Sequence, residues 1–322
     1  MSGNRSMNAR VKVPASTSNL GAGFDCVGVA VDRWLSASVD VSEGANVQRV
    51  TITRSGAVAN LAESAEDDLL HLGFRLACHS RSHEIPNRVD YHVTSTIPVA
   101  RGLGASAAAL IAGAMLANES LGLDLSREEI AALCSREEGH PDNIGAAVFG
   151  GAVLSVNTHH NSTNDYAFSS LRIHPEIALV FSVPELEIET SAARAVLPSS
   201  LPYRTTIAAI AKAAALVDGL TSGDAKLLAY ALDDVVHVPF RRDLMPGYDS
   251  VVDAAVSAGA FGATLSGSGS TVVAIAPLGV ASPVGSAMHR AWEKLDQTAE
   301  VIVGVKSVDG ASPVDAGRGR DN

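Results

Sequence analysis

The chain has 322 residues, of which 47% are hydrophobic and 18% charged, and a formal net charge of −11. That length exceeds the usual reach of one hydrophobic core and favours two domains, while the composition excludes a disordered or fibrous protein. The negative charge excludes a general affinity for nucleic acid or anionic membrane, so an anionic ligand must be held by local donors.

No run approaches the roughly 20 apolar residues that span a bilayer, and the polar start at residues 1–10 lacks the apolar stretch of a secretory signal. The expectation is a soluble, cytoplasmic protein. Cys26, Cys78 and Cys134 have no metal-ligand spacing and read as small hydrophobes rather than a disulfide framework or a zinc site.

In chain order, short apolar runs at 11–13 and 27–31 predict strands, and the Ser, Thr, Asn and Gly of 14–25 predict a loop between them. Alternation predicts further strands at 37–41 and 47–53, with a hairpin-like break at 43–46, and another strand at 89–94. Helical spacing covers 68–79. After Pro98 and two glycines, an Ala- and Leu-rich stretch predicts a long buried helix from Ala105 to Leu121. Ser126 and Glu129 have capping-box spacing and open a helix running to about Glu137.

A strand is expected over 149–156, and the polar segment 159–165 is taken as a loop and domain junction. The second half is read as a strand at 177–183 that continues through 192–196 into a helix at 205–220, further helices at 225–235 and 251–258, a segment 262–265 leading into Ser266–Gly269, a strand at 271–276, weak helix at 290–295, a last strand at 301–308 and a frayed tail from 309. Mixed helices and strands make this an α+β protein.

Four segments carry candidate chemistry. The first is Pro98-Val-Ala-Arg-Gly-Leu-Gly-Ala-Ser-Ala-Ala-Ala109. Glycine lets backbone approach a phosphate, and a helix start offers unpaired amides and a positive dipole end. Read alone, the string is equally a turn into a buried helix; it is not a Walker A loop, which needs Gly-Lys-Ser/Thr. The second, Glu137-Glu-Gly-His-Pro-Asp-Asn143, offers Glu138 or Asp142 to a Mg²⁺ ion, which favours oxygen ligands and shares its shell with phosphate and water. The bland alternative is a solvated helix end. Asn19-Leu-Gly-Ala-Gly-Phe-Asp25 and Ser266-Gly-Ser-Gly269 are weaker; short Gly/Ser loops are usually turns, although successive amides can cradle a second phosphate.

Together the four segments resemble the GHMP kinase superfamily, and 14–25 and 138–143 resemble its homoserine kinases. The resemblance implies a two-domain GHMP kinase-like α+β fold. An N-terminal mixed sheet with helices, similar to domain 2 of ribosomal protein S5, would span 1–160; a C-terminal ferredoxin-like α/β sandwich would span 161–310, with a flexible tail at 311–322. It implies phosphorylation of the side-chain hydroxyl of L-homoserine by ATP and Mg²⁺, on the way to threonine, with no nucleic-acid or membrane partner and a possible homodimer.

Residue by residue, the resemblance assigns ATP binding to Asp68, Pro98, Arg101, Gly102, Leu103, Gly104, Ala105, Ser106, Ala107, Ser268 and Gly269. It assigns Mg²⁺ to Ser106 and Glu138. The amino-acid substrate falls to Asn19, Asp25, His140, Asp142, Asn143, Thr190, Arg194 and Arg241, with Asn143 near the acceptor hydroxyl and Ser106, Glu138 and Asn143 as the catalytic set. A zwitterion needs a guanidinium for its carboxylate and an oxygen for its ammonium. Three residues depart from the family pattern: Ala105 for a serine, Asp68 for an asparagine, and Ser270 for the proline after Gly-Ser-Gly. Two rivals remain: a GHMP kinase of another small alcohol, which would lack the paired arginines, and a catalytically silent nucleotide-binding module, which would lack Glu138 or Ser106.

Overall fold

The structure is a computed structural model describing residues 7–42, 49–61, 64–158, 166–304 and 307–314. β1 (Met7–Asn19) and β2 (Gly23–Ser42) form a long antiparallel hairpin. The loop expected over 14–25 shrinks to the tight turn between them. Residues 14–19 stay in the sheet because register shifts after Pro14 and Ser18 absorb their turn chemistry as bulges, which re-aim side chains without ending the strand. The expected strands at 27–31 and 37–41 are one continuous β2.

β3 (Arg49–Gly56), α1 (Leu69–Ser80) and β4 (Arg88–Ser95) follow. β4 lies between β2 and β3, antiparallel to one and parallel to the other, and α1 supplies the crossover that a parallel pair requires. β2 and β3 are therefore not hairpin neighbours; the break at 43–46 lies outside the described residues. Next come α2 (Ala105–Leu121), α3 (Arg127–Glu138) with both halves of its capping box formed, and α4 (Asp142–Phe149). Sequence patterning assigns no element to 142–148, since Gly139 and Pro141 interrupt the helical run, but proline is tolerated where a helix begins. β5 (Ala152–Asn157) pairs with β2, and β6 (Tyr166–Leu171) with β5.

α2 is apolar nearly all round and buried in the first core. It crosses α1 at backbone distance: a Cβ on Gly113 would stand 1.8 Å from the Leu70 carbonyl oxygen, and one on Gly73 2.1 Å from that of Leu110. Gly113→Ala is accordingly expected to cost about 2–3 kcal/mol by overpacking, read as a lower urea midpoint at unchanged slope.

The second sheet holds β7 (Ile177–Pro184), β8 (Gly262–Leu265), β9 (Val272–Pro277) and β10 (Ala299–Gly304). Between β7 and β8 run α5 (Thr190–Ala195), α6 (Tyr203–Ser222), α7 (Ala225–Leu232), α8 (Val238–Arg241) and α9 (Tyr248–Ser257); α10 (Ala281–Glu293) joins β9 to β10. α10 begins well before the expected 290, its start hidden by Ser282, Pro283 and Gly285. The antiparallel order β10-β7-β9-β8 is that of a ferredoxin-like sandwich. β7 is buried on both faces: Leu179 and Phe181 join the first core, while Ala178 and Val180 join a second with Val251, Met288 and Trp292. Period-two alternation thus splits one strand between two cores.

Two boundaries shift. A division after 160 would separate β5 from β6, which pair along their whole length, so the first sheet extends to Leu171. The frayed tail expected from 309 is ordered to 314: Asp309 bridges Gly150, Ala311 is buried, and β11 (Ser312–Pro313) pairs with β1. The end of the second half thereby returns to the first sheet. Of the strand expected over 301–308, the described part is β10 as far as Gly304; residues 305–306 lie outside the described residues and 307–308 are not in a strand.

Candidate active site

One cavity of about 300 Å³ lies between the two halves, within the range of small-molecule sites. Its phosphate-loop wall is built by backbone. Gly102 and Gly104 have φ of 71° and 69°, the left-handed region that glycine enters freely. A Cβ on Gly102 would meet the Ser266 carbonyl oxygen at 2.1 Å, and one on Gly104 the Ser16 hydroxyl at 2.4 Å. The loop is clamped in place: Ser266 donates its hydroxyl to the Gly102 carbonyl at 2.6 Å, and the Gly267 amide donates to the Ser18 carbonyl at 3.1 Å. Gly104 caps α2 with no side-chain hydrogen bond, which leaves the first amides of the helix facing the cavity for an anion.

Ser106, in the first turn of α2, donates to Glu138 Oε1 at 2.6 Å. Glu138 is the last residue of α3, and the chain then turns through Gly139 to start α4 with Asp142 and Asn143. Asp142 Oδ1 accepts from the Asn143 amide at 2.8 Å and lies 3.2 Å from His140 Nδ1, while His140 Nε2 stands 3.8 Å from Glu138. Burial works against charge on His140, but the hydrogen bond to Asp142 and the negative charges of Asp142 and Glu138 prevail and raise its pKa. The Asn143 side chain is fixed at both ends, accepting from Ser16 at 3.0 Å and donating to Ser18 at 3.1 Å.

Opposite, Arg194 makes a two-pronged contact to Asp25, at 2.8 and 3.2 Å. Arg241 is 2% exposed and donates to the carbonyls of Ala193 and Gly267 and, from NH1, to the His237 ring nitrogen at 3.3 Å. Among the described residues no carboxylate lies within ion-pair distance of Arg241. Desolvation first, then the positive Arg194, lower its pKa to about 10, so it stays a cation at neutral pH. Phe24 lies under both guanidinium groups, 5.2 Å from Arg241 and 5.8 Å from Arg194.

The cavity brings together nearly all the residues singled out in the sequence. Asn19, which donates to the Gly267 carbonyl at 2.9 Å, Thr190, Pro98, Leu103, Ala105 and Ser268 line it. Arg101 lines it too, yet also ties the loop to β7 through the Pro184 carbonyl at 2.9 Å. Ala107 is buried behind the wall, and Gly269 packs against Gly102 without lining the cavity. Arg242, next to Arg241, points out to Asp249. The pair His159-His160 lies outside the described residues. Cys78 and Cys134 are buried and Cys26 half-buried; burial, with Asp142 and Asp25 nearby, pushes the Cys26 thiol up to about 11, which suppresses its nucleophilic thiolate.

Residues 57–151 match the family model described as GHMP kinases N terminal domain, and 213–294 that described as GHMP kinases C terminal. The homoserine kinase of Gloeobacter violaceus is 39% identical over 284 residues, 88% of this chain and 92% of that protein. That of Synechococcus sp. is 35% identical over 92% of this chain and 95% of its own length. The chain belongs to the homoserine kinases of the GHMP kinase family. A crystal structure of homoserine kinase from Cytophaga hutchinsonii superposes with a TM-score of 0.82 at 26% identity, covering 95% of this chain and 97% of that one. Mevalonate diphosphate decarboxylase from Staphylococcus aureus, at 11% identity and a TM-score of 0.70 over 97% of this chain and 99% of that one, shares the fold alone.

The residues that depart from the GHMP pattern are held by neighbours. Asp68 caps α1 by accepting from the amides of Leu70 and His71 and forms an ion pair with Arg54 of β3, so its charge has a cation beside it. Ser270 is fully buried and donates to the Leu186 carbonyl, which anchors the loop end where the family has proline. Sequence patterning misses Arg54, Ser16, Ser18 and Phe24, and gives His237 no role although its spacing, one helical turn before Arg241, is a signal.

Proposed function

We propose that this GHMP kinase transfers the γ-phosphoryl group of ATP to the side-chain hydroxyl of L-homoserine, giving O-phospho-L-homoserine and ADP for threonine synthesis in the cytoplasm. The observation that carries the reading is two guanidinium groups, Arg194 and Arg241, on one Phe24 ring in the cavity that also holds the glycine loop. A kinase of an uncharged alcohol has no use for a buried cation, Arg241, that no carboxylate among the described residues approaches within ion-pair distance.

Gly102 to Ser106 hold the triphosphate with backbone amides, and Ser268 approaches from the facing loop. The apolar pocket of Ile52, Val58 and Leu69 beside Asp68 takes the base. Arg241 binds the substrate carboxylate; Asp25, held by Arg194, and Asn19 with Thr190 receive its ammonium. Asn143, fixed by Ser16 and Ser18, orients the hydroxyl toward the γ-phosphorus.

Ser106 and Glu138 are hard oxygen donors 2.6 Å apart at the phosphate end, a fit for Mg²⁺, which takes one or two protein ligands and completes its shell with phosphate and water. Among the described residues no larger cluster of His, Cys, Asp or Glu could cage a metal. When bound, the ion neutralises charge on the β- and γ-phosphates.

No dedicated base is needed. Both Asp25 oxygens are engaged by Arg194, and Asp142 Oδ1 by the Asn143 amide and His140. In a loose transition state the new O–P bond forms as the bridging O–P bond to ADP breaks, and the hydroxyl proton passes late to an oxygen of the transferred phosphoryl group, so alignment and charge neutralisation supply the rate.

The test is incubation of purified protein with ATP, Mg²⁺ and L-homoserine, mevalonate, galactose or shikimate, with products identified by mass. Phosphohomoserine is the expected product; turnover of another alcohol without homoserine would sink the assignment. Among the described residues no helix is long and apolar enough to cross a membrane. A homodimer fits this reading, since Tyr203, Ile207 and Ile210 share one exposed face of α6 that a second copy would cover.

A further inference from the structure

His237 is fully buried, on the turn that opens α8, and no step above uses it. Its partners fix its tautomer. Nε2 faces the Gly21 carbonyl oxygen at 3.2 Å and must carry the hydrogen, which leaves the Nδ1 lone pair toward Arg241 NH1 at 3.3 Å. Burial lowers its pKa to about 4, against the opposing pull of Asp234, so the ring is neutral at working pH. The turn beneath it is pinned by Asp234 Oδ2, which accepts from the amides of Val236, His237 and Val238 at 3.0, 2.7 and 2.8 Å. The imidazole stacks on Phe24 at 4.9 Å between centroids, and the guanidinium groups of Arg241 and Arg194 lie against the same ring.

From this geometry we infer that His237 is a positioning residue: its Nδ1 and the Gly267 carbonyl hold NH1 and so fix the rotation of the Arg241 guanidinium over Phe24, leaving NH2, which has no hydrogen-bond partner among the described residues, for the substrate carboxylate. A guanidinium binds carboxylate well only when its fork is aligned. An aspartate in place of His237 would align it but would also neutralise it; a neutral imidazole aligns the fork and leaves the positive charge for the ligand. Buried supports of this kind reduce the ordering cost of binding. The inference rests on the reading that Arg241 holds the amino-acid carboxylate.

Two near-isosteric substitutions separate positioning from mere core filling. Asparagine places its Oδ1 where Nδ1 stands and keeps an acceptor for Arg241; glutamine reaches the Nε2 position, keeps the bond to Gly21 and loses that acceptor. Both lose the stack on Phe24. His237→Gln is expected to raise the homoserine KM about tenfold, the size of one hydrogen bond to a charged group, with kcat and the ATP KM within about twofold. His237→Asn should stay within about threefold of wild type in homoserine KM. Equal homoserine KM values in the two variants, whether raised or not, would overturn the positioning role, as would a change confined to kcat or ATP. Arg241→Leu is measured alongside. If it raises the homoserine KM while His237→Gln does not, the carboxylate reading stands and the role of His237 falls. If it leaves the homoserine KM unchanged, both fall.

Discussion

Glu138→Gln is expected to lower kcat by roughly 100-fold, the cost of removing one electrostatic partner of a phosphoryl-transfer transition state. Glutamine keeps the shape of the side chain and can still accept from Ser106, so the contact between α2 and α3 survives. What disappears is one formal negative charge at the proposed ion site, where charge balance sets Mg²⁺ affinity. The loss should therefore be partly recovered by raising Mg²⁺, and the apparent Mg²⁺ requirement should shift upward while the homoserine KM moves little. Turnover titrated against Mg²⁺ at saturating ATP and homoserine checks this. A variant that matches wild type at limiting Mg²⁺ would remove Glu138 from the metal site.

How much of this was legible before the fold depended on the range of the interaction. α2 and its glycines could be read because helix propensity and backbone freedom are local properties, as could the Ser126–Glu129 capping box. α4 could not. Proline and glycine before Asp142 interrupt the helical pattern, and 142–149 is helical where it packs against β1, β2, β5, α2 and α3. Likewise 14–19 has turn composition but stays in β1 because the bulges at Pro14 and Ser18 absorb it, a tertiary solution that propensity does not report. The return of 312–313 to β1 is a contact across almost the whole chain and leaves no local mark.

The candidate site divides the same way. Residues in contiguous motifs, such as Gly102, Glu138 and Asn143, carry their signal in spacing. The side chains that hold them come from distant segments: Ser16 and Ser18 grip Asn143 from β1, and Arg54 reaches Asp68 from β3. Asp68 shows the consequence. In the sequence it is an unwelcome charge beside a nucleotide; in the structure it is a helix cap paired with arginine. A departure from a family pattern can be judged only with its partner, and partners are chosen by the fold.

Arg241→Leu is the companion test on the acceptor side. The cation is desolvated, has no carboxylate within ion-pair distance among the described residues, and faces a second cation, Arg194; its lowered pKa of about 10 records that unfavourable setting. Such a charge raises the free energy of the empty enzyme and gains its counter-ion only when an anionic substrate arrives. Leucine fills similar space. It orphans the Ala193 carbonyl and the His237 Nδ1, at about 1 kcal/mol each, while Gly267 keeps its bond from Asn19, and it relieves a buried charge that has no ion-pair partner among the described residues, worth several kcal/mol. The unfolding midpoint should therefore hold or rise. Homoserine kcat/KM should fall by roughly 1000-fold, since truncating one partner of a buried charge pair costs about 2–5 kcal/mol, and the ATP KM should stay within about twofold. Steady-state kinetics in each substrate, with urea unfolding on the same preparation, decide it. A stable variant with equal losses for both substrates would move Arg241 out of the acceptor pocket, and an unstable one would make its charge structural rather than reserved for the ligand.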